Sequence, residues 1–152
     1  MLCLDEFSFD FTDRKWLIGL VPSSPRSADP NVLRTEYYID DRRIATSFCR
    51  KLEPLLADWL DVALACYLAD RLARRCTLRS GPPGRCARVL VLKIPVRNPQ
   101  TWERGDVQDS LAELLHFFTE DRWAVEFCPW RGASRPAEVQ EFLFPSPPPR
   151  PS

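Results

Sequence analysis

Phe7, Phe9 and Phe11 alternate with Ser8 and Asp10, a period of two that predicts a strand with one buried face. Thr12-Asp13-Arg14 has turn composition and residues 15–21 a second apolar run, so the two predict a hairpin. Residues 22–30 are polar and punctuated by proline, which marks a loop. Glu36-Tyr37-Tyr38-Ile39 predicts a short third strand. Residues 42–51 carry no clear period.

The strongest periodic signal is helical. Leu52, Leu55, Leu56, Trp59, Leu60, Ala63, Leu64, Tyr67, Leu68 and Leu72 recur every three or four residues. This spacing predicts a helix over about residues 52–76 whose broad apolar stripe faces the core. Pro54 fits its first turn, and Arg71, Arg74 and Arg75 suit the negative end of its dipole. Ser80-Gly81-Pro82-Pro83-Gly84 then breaks the chain. The apolar run from Cys86 to Val96 predicts an interior strand, ended by Pro95, which cannot donate to a ladder.

Asn98 to Trp102 predicts a turn entering a short helical start. A second amphipathic helix follows over residues 106–119, with Asp106 as its cap and Val107, Leu111, Leu114, Leu115 and Phe118 as its buried face. Trp123, Val125 and Phe127 alternate with Arg122, Ala124 and Glu126 as another strand, and residues 139–144 predict a last short one. The expected architecture is α+β: a mainly antiparallel sheet packed by one long helix and one shorter helix, in a single domain over residues 1–144. Residues 145–152 form a proline-rich tail or linker stub that favours an extended conformation.

Charge changes the picture little but excludes some functions. Lysine plus arginine and aspartate plus glutamate both total 21, a net charge of zero, which argues against a general nucleic-acid binder. The clustered arginines at 71–88 are the one feature that favours such a contact. The longest apolar-leaning stretch, 52–72, is interrupted by Glu53, Asp58, Asp61, Asp70 and Arg71, so no membrane span is expected. No signal peptide is visible either, and the cytoplasm is the expected location.

Candidate chemistry is sparse. The six cysteines at 3, 49, 66, 76, 86 and 128 form no Cys-x-x-Cys pair, and His116 is the single histidine, so no metal and no cofactor are expected. Cys66 and Cys128 fall in apolar elements as small buried hydrophobes. His116 with Cys49, Cys128 or a carboxylate would be the dyad of a small enzyme. Asp58 and Asp61 share a helix face, where the expected arrangement is a solvated edge or a salt bridge to a distant arginine. In the tail, Pro145, Pro148 and Arg150 fit the spacing read by aromatic grooves.

Three segments carry a family resemblance: Leu56 to Arg71, Ile94-Pro95-Val96-Arg97-Asn98-Pro99 on to Trp102, and Leu114 to Trp123. Together, over about residues 36–144, they resemble the amino-terminal region of 7-cyano-7-deazaguanine synthase-like (QueC-like) proteins of bacterial anti-phage defence systems. In that family the region precedes a PP-loop ATP-binding domain with a Ser-Gly-Gly-x-Asp-Ser loop and a zinc-binding cysteine cluster. This sequence contains neither. It also has Glu120 where a helix end favours glycine in the left-handed region, at a cost of about 1 kcal/mol for glutamate, so a differently shaped corner is expected there.

The resemblance therefore implies a non-catalytic accessory or protein-interaction domain, without the PP-loop domain. Its partner would be a protein such as a separately encoded catalytic subunit. Arg97, Trp102, Asp121, Arg122 and Trp123 are the candidate partner-binding residues, with Arg97 and Arg122 as direct contacts. Asp121 is also placed to cap backbone N–H groups, and Arg122 to pair across the sheet.

Overall fold

Strand β1 (Cys3–Thr12) pairs antiparallel with β2 (Lys15–Pro22), Phe7 opposite Leu20, and β2 pairs antiparallel with β3 (Leu33–Tyr38). These elements belong to a computed structural model that describes residues 3–12, 15–22, 33–38, 46–47, 51–73 and 88–139. The chain then enters a long helix, α1 (Pro54–Leu72), and returns as β4 (Arg88–Val96). Strand β4 adds to the free side of β1 in parallel, Phe7 opposite Leu92. After a one-turn helix α2 (Pro99–Trp102) and helix α3 (Gly105–Thr119), β5 (Arg122–Pro129) lies parallel to β4, Leu90 opposite Trp123. A last helical turn, α4, covers Pro136–Val139.

The five-stranded sheet runs in the order β3-β2-β1-β4-β5. It is mixed, and the expectation of a mainly antiparallel sheet is overturned: two of its four pairings are parallel. A period of two reports which face of a strand is buried and is silent about direction. The strand-to-strand connections decide that. A helix between two strands carries the chain back to its starting edge, so the strands it joins pair in parallel. Helix α3 does this between β4 and β5.

One face of the sheet is consistently buried, while the other is mixed, with Val89 and Val91 half-buried and Pro95 buried. Phe7, Phe9, Leu90, Leu92, Ile94, Val96, Trp123 and Phe127 form the buried face. Glu6, Ser8, Lys93, Arg122, Ala124 and Glu126 are exposed on the other, where Lys93 Nζ meets Glu126 Oε1 at 3.2 Å. Helices α1 and α3 both pack on the first face, giving two layers.

Several boundaries and faces differ from expectation, each for a physical reason. Pro95 does not end β4, which continues through Val96 with Pro95 opposite Cys128. Trp130 N–H donates to the Val96 carbonyl at 2.8 Å, so Val96 turns its polar groups toward β5. Pro95, one residue back, turns toward β1, whose pairing stops at Lys93. The missing N–H falls where no ladder remains.

Residue 139 lies in a helical turn, not a strand, and 140–144 with the tail lie outside the described residues. Asp106 is not the cap of α3. Arg104 holds that position without a side-chain cap and instead ion-pairs with Asp106 at 2.6 Å.

The largest correction concerns α1. Val62, Ala65, Cys66, Leu68 and Ala69 pack in the sheet core, Ala57 is buried apart from it with Leu52 and Ala137, and Asp58 and Asp61 are also fully buried. The expected stripe is split: Leu52 and Leu68 are buried and Leu60, Leu64 and Leu72 partly so, whereas Leu55, Leu56, Trp59 and Tyr67 are exposed. Small side chains let the helix axis come close to β4, and close approach buries area that bulky residues would hold apart. In α3, Leu111 is buried and Val107 and Leu115 are partly so, but Leu114 and Phe118 are exposed, against expectation.

Candidate functional site

Helix α1 carries carboxylates on its buried side, and arginines at the two ends of β4 receive them. Just beyond the C-terminal end of β4, Asp58 is fully buried and accepts four hydrogen bonds. They come from Arg97 N–H (2.8 Å), Arg97 Nη1 (3.0 Å), Asn98 N–H (3.2 Å) and Trp102 Nε1 (3.3 Å). That fills the acceptor capacity of a carboxylate. Arg97 Nη1 also donates to Asp61 at 2.7 Å, and its Nε and Nη2 fork onto Glu138 of α4 at 2.6 and 2.8 Å. Arg135 adds a backbone N–H to Glu138 and an ion pair to Asp61.

The Arg97 guanidinium also stacks on Trp130, 4.2 Å from the ring centre. Burial works against the Arg97 charge, but the hydrogen bonds with Glu138 and Asp58 outweigh it and hold its pKa above the ordinary arginine value. Burial likewise pushes the Glu138 carboxyl up, yet its bonds to Arg97 and to the Arg135 backbone N–H prevail and hold it below the usual carboxylate range. Of the two arrangements expected for Asp58 and Asp61, the salt bridge to distant arginines is the one found, and the pair is the core of a buried clasp.

The segment Arg97-Asn98-Pro99 to Trp102 follows from this geometry. Asp58 fixes the corner after β4, Asn98 Oδ1 accepts from Thr101 N–H as the cap of α2, and Pro99 occupies its first turn. Trp102 is buried and packs edge-on against Trp59, ring centres 5.1 Å apart, and beside Phe127 at 5.3 Å.

At the other end of β4, Arg88 is buried. Its Nε and backbone N–H both donate to Asp121 at 3.0 Å, and its Nη2 ion-pairs with Asp121 and, at 2.6 Å, with Asp70. Burial opposes the Arg88 charge, and the bonds with Asp121 and Asp70 more than compensate, raising its pKa. Of the arginines at 71–88, this one is therefore committed inside the protein.

Asp121 caps a backbone N–H as expected, that of Arg88, and Trp123 is buried with its indole N–H on Thr119 Oγ1 at 2.8 Å. Arg122 is exposed on the outer sheet face and makes no ion pair among the described residues. The five candidate residues therefore occupy three places: Arg97 and Trp102 in the clasp, Asp121 and Trp123 at the far end of β4, and Arg122 on the open face.

The corner at Glu120 is not reshaped. Glu120 itself takes the left-handed conformation, φ 61°, and its N–H closes α3 on the His116 carbonyl at 2.8 Å. His116 is exposed, and its Nδ1–H donates to the Asp121 carbonyl at 2.9 Å. Cys128 lies near the opposite end of β5, about 20 Å along the strand from that carbonyl, so the two form no dyad. Cys49 lies outside the described residues. Among the described residues no group of three or more His, Cys, Asp or Glu is arranged to hold a metal. Burial pushes the Cys66 thiol up to about 12, which keeps it protonated and unreactive.

What remains open is an apolar groove of about 300 Å³ between α1 and α3. Trp59, Ala63, Cys66 and Tyr67 form one wall, Leu111, Leu114 and Leu115 the other, and Trp123 lies between them. Its shoulders are bulky and exposed, Trp59 at 51% and Tyr67 at 61%, and outside its lining Phe118 and Phe117 of α3 are 73% and 79% accessible. Phe117 and Phe118 touch edge to face, 5.5 Å apart. None of these shoulder positions was among the expected binding residues, because the helical period placed Trp59, Tyr67 and Phe118 in the core.

Fold and site together define a two-layer α+β domain with buried ion pairs at both ends of β4 and an open apolar groove in its helical layer. No family model matches the chain, and neither curated proteins nor solved structures give a match. Among the described residues no helix is long and apolar enough to cross a membrane.

Proposed function

We propose that this chain is a non-catalytic protein-interaction module that binds through the helical layer. One observation carries the reading: Trp59, Tyr67 and Leu114 stand half or more exposed along a groove between α1 and α3, and Phe117 and Phe118 stand exposed on α3 as well. A contiguous exposed apolar patch of this kind marks a contact surface, since leaving it in water is costly. The charged residues support it from the other side. The buried acids and arginines ion-pair with one another in the clasp and at Arg88, where they hold elements in place.

In its specific form, the proposal is an accessory domain that serves a separately encoded 7-cyano-7-deazaguanine synthase-like subunit in the bacterial cytoplasm. It rests on the resemblance over residues 36–144. Arg122, exposed on the outer sheet face, is the candidate residue left available for a second contact.

Affinity capture with the tagged chain from native lysate, set beside a Phe117→Ser/Phe118→Ser variant, tests the module reading. The expected result is a captured protein that the variant loses while its circular dichroism stays unchanged. Identical capture by both chains would overturn it.

A further inference from the structure

We infer that β5 is the seam of a symmetric dimer: its free edge pairs antiparallel with the β5 of a second copy, Arg122 of each chain opposite Glu126 of the other. Strand β5 ends the sheet, and among the described residues no strand lies on its far side. One bond fixes the direction of its backbone groups. Trp130 N–H donates to the Val96 carbonyl, so the even-numbered residues of β5 turn their polar groups to β4. Trp123, Val125 and Phe127 therefore turn theirs outward, a row of donors and acceptors that templates another strand. The chain beyond β5 turns back toward β4. There Trp130 stacks on Arg97 and Glu138 of α4 binds the same arginine, so the described part of it runs away from this edge.

The outer face of the strand says which partner fits. Arg122, Ala124 and Glu126 stand exposed in a row on it. Two copies of a strand pair about a two-fold axis only in registers that set outward-turned residues opposite one another. In β5 these centre on Trp123, Ala124, Val125 or Glu126. The Glu126 centre sets two carboxylates face to face, and the Val125 and Trp123 centres leave Arg122 opposite Cys128 or Ala124. Only the Ala124 centre puts Arg122 opposite Glu126, and symmetry makes that pair twice. Pro129 favours the same register. It holds an outward-turned position with no N–H to donate, and the Val125 and Glu126 centres would bring it against Asp121 or Trp123. The Ala124 centre keeps it beyond the paired residues.

Glu126 has room for the second cation. Its Oε1 meets Lys93 at 3.2 Å, its Oε2 has no hydrogen bond among the described residues, and Arg122 makes no ion pair among them. Pairing would continue a row of alternating sign across the seam, from Lys93 to Glu126 to Arg122 of the second copy. An edge guarded by like charges repels a copy of itself; this one carries opposite charges about Ala124 and attracts. On the inner face Trp123 comes opposite Val125 of the second copy, an aromatic and β-branched pair that favours strand association. The axis stands perpendicular to the sheet, so both helical layers stay on one side.

Sedimentation equilibrium over a range of concentrations reads the dimer. Arg122→Glu and Glu126→Arg should each weaken it about tenfold, since two symmetric pairs change at about threefold each. The double swap Arg122→Glu/Glu126→Arg should restore most of the loss. Val125→Pro removes an outward N–H without touching the bonds to β4, and should abolish the dimer. Ala124→Cys sets two Cα atoms about 4.5 Å apart across the axis, within reach of a disulfide. Mild oxidation should link them, and peptide mapping by mass spectrometry identifies that bridge against the wild-type background. Circular dichroism of every variant separates lost pairing from lost fold.

A wild-type chain that stays monomeric at its highest soluble concentration would overturn the seam. So would a dimer indifferent to both charge reversals, or one that Phe117→Ser/Phe118→Ser dissociates, because the contact would then lie on the helical layer. A double swap that recovers nothing, with Ala124→Cys unlinked, would overturn the register. The seam goes beyond the interaction-module reading and is separate from the groove, so its failure leaves that reading standing.

Discussion

Glu120 shows how one residue can be read correctly in outline and wrongly in consequence. The helix-ending pattern demands a left-handed residue, and a glutamate there argued for a reshaped corner. The chain accepts the strain instead: Glu120 sits at φ 61° because Asp121 and Trp123 just beyond it are fixed by Arg88 and Thr119. Glu120→Gly should therefore stabilise the protein, by about 0.5–1 kcal/mol after the extra freedom glycine gains in the unfolded chain. A rise in the urea midpoint with unchanged slope checks this. Asp58 teaches the opposite lesson. No local signal distinguishes an aspartate on a wet helix edge from one holding four donors, since its partners stand some forty positions away in sequence.

At the scale of elements, the strands and helices themselves were legible. The observed β1, β2, α1, β4, α3 and β5 all overlap the segments predicted from periodicity. Their faces were less so, and α1 explains why. It is apolar on more than one side: Val62, Ala65, Leu68 and Ala69 pack in the sheet core while Trp59 and Tyr67 stand exposed along the groove, and a period-based reading puts both sets in the core. The candidate surface hid in that choice.

The two sides respond differently to substitution. Ala69→Leu, on the fully buried side, should cost about 1–3 kcal/mol through overpacking. Leu56→Gln, on the exposed side, should stay within about 0.5 kcal/mol of wild type. Urea denaturation of both variants decides it, and the reverse order would restore the periodic reading of the helix.

For the whole molecule, the clasp ties α4 and Trp130 to the start of α1, helped by Leu52 N–H donating to the Ala137 carbonyl at 2.9 Å. Its acid limit follows from Glu138, whose folded pKa lies below the ordinary 4.5. A depressed carboxylate contributes stability that is complete above its unfolded value and fades as pH falls through the folded one. The urea midpoint should thus hold near pH 6 and drop on acidification below about pH 4.5. Glu138→Gln should start lower at pH 6 and fall less steeply; an identical pH slope in both would exclude Glu138 as a source of the effect.

The position of β1 between β2 and β4 has a consequence for synthesis. The β1–β2 hairpin leaves the ribosome early, but the strand that completes its other edge is encoded far downstream, after the whole of α1. Until then one edge of the nascent sheet stays open, with Phe7 and Phe9 uncovered. Such distant pairings fold slowly and expose sticky intermediates. Slower translation through the α1 codons should therefore lengthen the time this edge stays open and lower the yield of native protein.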